Sequence, residues 1–324
     1  MIRLLSIALA SAMVTGAAFS QTTDAGWPDR PIRLVVPFPA GSSTDIIARI
    51  IAQKLGQRVG QQIVIENRAG ASGNIGADAI AKAAPDGYTI GIATASTHAV
   101  AASLSTSLPY DPIRDFAPVS VIGSQPYVLV LYPGLPAKNL AELIALAKAK
   151  PGTLNYGSAG VASLAHLATA LLANMAGVTL THVPYKSSAQ SVTDMMTGRL
   201  DMQFATIAPT LPNIQAGQLR ALVTSGKTRV AALPEVPTVA ESGIAGYEAA
   251  LWVSFVAPAA TPATIVARLN REVNEILSSA EGKEALVAQG MEAQPGPPDA
   301  VTERIRTDIE KWRAVVTKAG IRAE

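Results

Sequence analysis

The chain has 324 residues and no cysteine, so it predicts two lobes held together by their cores, with no disulfides. Its 26 basic and 24 acidic residues give a net charge of +2, and removing Arg3 leaves 25 against 24. That balance, with only 5% aromatic residues, excludes a nucleic-acid footprint.

The first 20 residues read as an export signal. Met1-Ile2-Arg3 is a basic start, Leu4 to Val14 an apolar core, and Ala18-Phe19-Ser20 a small-residue cleavage site. Cleavage is expected near Ser20, with delivery to a periplasm. No later segment reaches about 18 unbroken apolar residues, so no membrane span is expected.

Pro31 to Phe38 reads as a buried strand. Thr44 to Leu55 reads as a helix, because Ile46, Ile47, Ile50, Ile51 and Leu55 form an apolar stripe. A strand at Ile63-Val64-Ile65, a loop at Asn67 to Gly76, a helix at Ile75 to Ala83 and a strand at Tyr88 to Thr94 follow. This alternation implies a parallel sheet with right-handed crossovers. Val119 to Tyr132 is a long extended stretch suited to crossing from one lobe to the other.

Leu140 to Lys150 reads as a helix capped by Asn139. A second alternating set then runs through strands at Leu154-Tyr156, Thr181-Pro184, Met202-Ala205 and Leu219-Thr224. Helices are expected between them at Ser163-Met175, Ser188-Thr197 and Leu211-Ala216. Ala249 to Ala257 is an extended run suited to a return crossing, and Thr264 to Ser278 and Asp299 to Ala319 read as amphipathic helices. Two lobes joined by two extended crossings is the layout of a hinged binding protein. The division is lobe 1 at 27–125 plus 251–324 and lobe 2 at 126–250.

Two segments share one local design. Phe38-Pro39-Ala40-Gly41-Ser42-Ser43-Thr44-Asp45 and Tyr156-Gly157-Ser158-Ala159-Gly160-Val161-Ala162-Ser163 each follow an apolar run and open a long helix. A small-residue loop entering a helix leaves backbone N–H groups unpaired at the positive end of the dipole, a ready site for a carboxylate or phosphate. Asp45 is either a helix-start acid complementing the dipole or an orienter of bound water. Tyr185 and Lys186 end one strand, and Thr94, Ser96 and Thr97 end another, at the sheet edge where open α/β folds place ligands. The three threonine and serine hydroxyls either face the cleft or cap the next helix, and Lys186 either supplies a positive charge to the ligand or, the better reading, is simply solvated.

Other chemistries fit poorly. His98, His166 and His182 have no close-spaced ligand partners, so neither metal nor cofactor is expected. Gly226-Lys227-Thr228 lacks the glycine five residues earlier that a phosphate loop needs, and Ala221 stands there instead. Gly70, Gly73 and Gly76 do not match the dinucleotide fingerprint and read as a structural loop. A nucleophile elbow needs glycine two residues before the serine, but Tyr156 and Val161 precede Ser158 and Ser163 at that spacing. Ser163 therefore reads as a helix cap and ligand contact, with His166 beside it. A secreted serine hydrolase using Ser163 and His166 is the alternative.

Together these motifs resemble the Bug-type periplasmic solute receptors of tripartite tricarboxylate transporters. The likeness runs through FPAGSSTDIIAR at 38–49, ENRAGASGNIGA at 66–77, PDGYT at 85–89, LPYDPIRDFAPV at 108–119, YGSAGVASLAHL at 156–167, VPYK at 183–186 and LPEVPTVAESGIAGYE at 233–248. The resemblance implies a two-lobed type II periplasmic-binding-protein fold, with a mixed, mostly parallel sheet flanked by helices in each lobe. It implies closure on a small carboxylate held by backbone amides, hydroxyls and bridging waters. Ligand contact is then expected from Phe38, Pro39, Ala40, Gly41, Ser42, Ser43, Thr44 and Asp45, from Thr94, Ser96 and Thr97, and from Ser158, Ala159, Gly160, Ser163, His166, Tyr185 and Ala205. Ala205 replaces a frequent acid, which favours an acid without an amine. The resemblance also implies a monomer that delivers its ligand to a two-component membrane permease, or a sensor-type receptor that presents it to a signalling partner.

Overall fold

The computed structural model describes residues 26–104, 107–161 and 163–321. The expected export segment lies outside the described residues. Among those residues, no helix is long and apolar enough to cross a membrane.

Three strands begin the first sheet: β1 (Ile32–Val36), β2 (Ile63–Asn67) and β3 (Thr89–Thr94), linked through helices α1 (Ser43–Val59) and α2 (Asn74–Ala81). β2, β1 and β3 run parallel, as right-handed crossovers require. A π-helical turn at Ala95–Val100 leads into the short α3 (Ala101–Leu104), and β4 (Phe116–Leu131) follows. The second set comprises α4 (Leu140–Ala149), β5 (Asn155–Ser158), α5 (Leu164–Ala176), β6 (Thr181–Pro184), α6 (Ser188–Met196), β7 (Met202–Thr206), α7 (Ile207–Gln215) and β8 (Arg220–Thr224). The chain ends with β9 (Ala250–Pro258), α8 (Ala263–Ser278), α9 (Ala280–Val287), β10 (Glu292–Ala293) and α10 (Asp299–Ala319).

β4 is the strand that belongs to both sheets. Its residues Phe116 to Pro126 pair antiparallel with β9, which pairs antiparallel with β3. From Tyr127 to Leu131 the partners are β7 and β8 instead, and β7 and β6 flank β5 in parallel. The fold is thus two-lobed α/β, with a mixed sheet in each lobe: β2-β1-β3 and β6-β5-β7 are parallel as expected, but the pairings made by β4 and β9 are antiparallel, so neither sheet is mostly parallel. Side chains alternate along the far half of β4. Val128 and Val130 join a cluster with Val192, Met195, Leu200, Ala205 and Ile207, while Leu129 and Leu131 face the main core. A strand covered on both faces reads as an unbroken apolar run, which is why this crossing was legible.

The return crossing differs from the expected run at Ala249 to Ala257. β9 pairs with the first sheet along its whole length, so the chain changes lobe just before it. Ser225 marks that point. Its N–H donates to the Tyr127 carbonyl at 2.9 Å, its hydroxyl accepts from the Tyr127 N–H at 2.8 Å, and its carbonyl accepts from the Ala249 N–H at 2.8 Å. The same hydroxyl donates to the Ala249 carbonyl. One fully buried serine therefore ties both crossings together.

Candidate functional site

The two small-residue loops enter their helices in the same way. Ser42 caps α1 and Ser163 caps α5, with backbone angles of −67°/157° and −68°/152°. Each hydroxyl accepts the amide three residues on, from Asp45 at 3.2 Å and from His166 at 3.3 Å. The amides before those donors, Ser43 and Thr44 in one helix and Leu164 and Ala165 in the other, have no carbonyl a turn back within their helix and point outward from the positive dipole end. Gly41 and Gly160 lie within the loops at φ +78° and +110°, where a side chain would be strained.

The side chains of the first loop are largely engaged internally. The buried Asp45 carboxylate accepts from the Gly41 N–H at 2.9 Å, Arg49 at 2.9 Å and Asn67 at 2.8 Å. Burial alone would raise this carboxyl, but the hydrogen bonds from Arg49, Asn67 and Gly41 and the Arg49 charge outweigh it and hold it below its usual range. Asp45 thus fixes the loop's shape. The Ser43 hydroxyl donates to Gln125 on β4 at 2.8 Å, tying the loop to the crossing strand. Phe38 and Ser42 are half-buried, while Pro39, Ala40 and Gly41 are exposed. Thr44 is buried beside the open amides.

Thr94 and Thr97 form a reciprocal cap at the start of the π-helical turn, so these two serve the capping alternative. Thr97 also bonds His98 Nδ1 at 2.9 Å, and His98 packs edge-on against Phe116. Ser96 is buried on the same turn. Ala205 is buried in the apolar cluster of lobe 2.

In the second loop, the Ser158 hydroxyl donates to the Gly160 carbonyl at 2.8 Å and lies 2.7 Å from His182 Nε2. With the hydroxyl proton directed at Gly160, Nε2 carries the hydrogen and donates to Ser158. His182 stacks on Tyr156 and on His166, forming an aromatic layer with the buried His166 ring. The Tyr185 N–H donates to the Ser158 carbonyl at 3.0 Å, and the Tyr185 hydroxyl donates to Asp194 at 3.0 Å. The structure thus gathers Ser158, Gly160, Ser163, His166 and Tyr185 into one corner of lobe 2. Ala159 is exposed on its rim.

Two participants escaped sequence reasoning. His182 looked isolated, yet the parallel register sets it opposite Tyr156, two residues before Ser158. The loop at Asn67 to Gly76 looked merely structural, yet its Ser72 hydroxyl donates to the Val161 carbonyl at 3.0 Å and so joins the two lobes.

The profile described as "Tripartite tricarboxylate transporter family receptor" matches residues 47–321. The chain belongs to this receptor family. Among its relatives, the protein BugT of Bordetella pertussis is 39% identical over 321 residues, covering 99% of this chain and 98% of that one. Two solved proteins from Rhodopseudomonas palustris share the fold. Rpa4515, determined with adipate, has a TM-score of 0.87 at 40% identity, covering 91% of this chain and 99% of its own. MatC, with bound malate, has a TM-score of 0.82 at 31% identity, covering 90% and 100%. The Bug-type resemblance seen in the motifs is therefore shown, and the two capped loops of this receptor sit at the start of α1 and α5, one in each lobe.

Proposed function

We propose that this receptor works in the periplasm, closes on a small carboxylate between its lobes and hands it to a two-component membrane permease. The observation that carries this reading is the matched pair of serine-capped helix starts, one per lobe, each presenting open amides at a positive dipole end. Lobe 1 comprises 27–125 plus 251–324 and lobe 2 comprises 126–250, the chain changing lobe near Pro126 and Ala249. Adipate and malate in the two solved relatives support a dicarboxylic acid as the ligand class. Each charge-assisted hydrogen bond to a carboxylate contributes about 1.5–3 kcal/mol.

Ligand contact is assigned to the open amides of the first loop, with Thr44, and to Ser158 through His166 with Tyr185. Asp45, Thr94 and Thr97 act by holding backbone in place. The Ser163 hydroxyl accepts a backbone amide from His166 as a helix cap, which supports binding over hydrolysis.

A thermal-shift screen of mono-, di- and tricarboxylic acids tests the reading. A concentration-dependent rise in melting temperature with a dicarboxylate, lost in Gly160→Asp, is the expected result. Ester turnover that disappears in Ser163→Ala would instead establish the hydrolase.

A further inference from the structure

The segment from Gly70 to Gly73 forms an arm that touches both lobes. It is a 3-10 turn in which Ala71 and Ser72 hold φ +47° and +55°, the left-handed region that side-chain-bearing residues rarely occupy. Something must hold them there. Gly73 is wedged against lobe 1: a Cβ at that position would meet Thr97 Cγ2 at 2.6 Å, Phe38 Cζ at 3.3 Å and the Pro37 carbonyl oxygen at 3.3 Å. Asn67, just before the arm, donates to the Phe38 carbonyl at 3.0 Å and to Asp45. The arm is therefore built onto the first loop, and its strained tip is aimed away from it.

The tip ends on the second loop. The Ser72 hydroxyl reaches the Val161 carbonyl at 3.0 Å and lies 4.0 Å from where a Cβ on Gly160 would stand. Val161 falls between Gly160 and the helix cap Ser163, inside the segment assigned to ligand contact. This hydrogen bond joins residues 89 apart in sequence. Its partners lie in different lobes, so separating the lobes would break it.

We propose that Ser72 is a closing latch, a positioning residue that holds the second loop against the first when a ligand is enclosed. The inference rests on the hinged-receptor reading above. Because the latch grips a backbone carbonyl, its effect is independent of what the ligand carries. It forms as the lobes close, so it slows release and leaves capture unchanged. The left-handed backbone at Ala71 and Ser72 presents the hydroxyl in advance of closure.

Stopped-flow binding of adipate and malate to wild type, Ser72→Ala and Ala71→Gly tests this. Ser72→Ala is expected to raise the dissociation rate of both acids by the same factor, about three- to tenfold for one net hydrogen bond, with association rates and the ligand-free melting temperature unchanged. Ala71→Gly keeps the hydroxyl and is expected to keep tight binding. A loss with one acid only would make Ser72 a ligand contact, and a fall in the association rate or in ligand-free stability would make it a scaffold residue; either overturns the latch. The chain lacks cysteine, so Gln57→Cys and Lys148→Cys give a dye pair reporting the distance between the lobes. If wild type binds neither acid, the ligand reading fails separately, and the latch is judged by that dye pair without ligand. A smaller closed fraction in Ser72→Ala supports the latch, and equal fractions overturn it.

Discussion

The imidazole of His166 lies flat on that of His182, with ring centroids 3.8 Å apart and planes inclined by 7°. Burial first, and the neighbouring His182 second, push His166 down to about 3, while burial pushes His182 down to about 4. Folding therefore keeps both rings neutral beneath the second loop. The Nε2–H donated to Ser158 is present in either protonation state, so it is burial, not that bond, that makes the pair costly to charge.

The pair makes stability depend on acidity. The unfolded histidines take up protons near pH 6.5, about where free imidazole does. The folded ones refuse them until pH 3 to 4. Their contribution is thus complete above about pH 6.5 and is lost as pH falls towards the folded values, at a slope of about 1.4 kcal/mol per pH unit for each residue. His98, lowered by burial to about 3, adds a contribution of the same sign. Urea unfolding between about pH 7 and pH 4.5 should show this decline, and His182→Gln should make it shallower. A slope equal to wild type would contradict the assignment.

Asp45→Asn should loosen the first loop. An amide cannot satisfy the Gly41 N–H, Arg49 and Asn67 together, as the carboxylate does. A loss of about 1–3 kcal/mol is expected, read by chemical denaturation at neutral pH. The difference from wild type should shrink as pH falls and the wild-type carboxylate itself becomes protonated.

Two glycines should respond differently to alanine. At Gly41, φ is +78° but nothing lies within 4 Å of the new Cβ, so Gly41→Ala should cost only the left-handed backbone, about 1–2 kcal/mol. At Gly73 the same change adds a collision with Thr97, Phe38 and Pro37. Gly73→Ala should therefore be clearly more destabilising, and thermal melts of the two variants side by side would show it.

Ser225→Ala should weaken the crossing point. It leaves the buried Tyr127 N–H and the Ala249 carbonyl without the hydroxyl they share. The expected loss is about 1–3 kcal/mol in stability, with a wider range of lobe separations by small-angle scattering. Unchanged scattering beside reduced stability would confine Ser225 to a structural role.

Much of the fold was legible because local chemistry decided it. Asn139 and Ser163 sit where caps must sit, just before apolar-periodic runs, and both cap in the structure. α10 and β6 fall on their expected residues. α9 was missed because only Ser279 separates it from α8, with no proline at the break and Gly282 falling inside the new helix, not between the two. The turn at Ala95–Val100 was missed because its six residues carry no distinctive period. For the site, both loops could be read, but not which of their groups are already engaged. The partners Gln125 and Asn67 lie 82 and 22 residues from Ser43 and Asp45.

By itself, the amino-acid sequence determined the alternating architecture, the two serine-capped loops and the family, since caps, periodicity and ordered motifs are properties of neighbouring residues. Tertiary structure alone decided that Asp45 is consumed inside its own loop, that His166 and His182 share one neutral stack, and that Ser72 reaches the opposite lobe. Each of those depends on sheet register or on lobe packing, which bring together side chains that no local spacing relates.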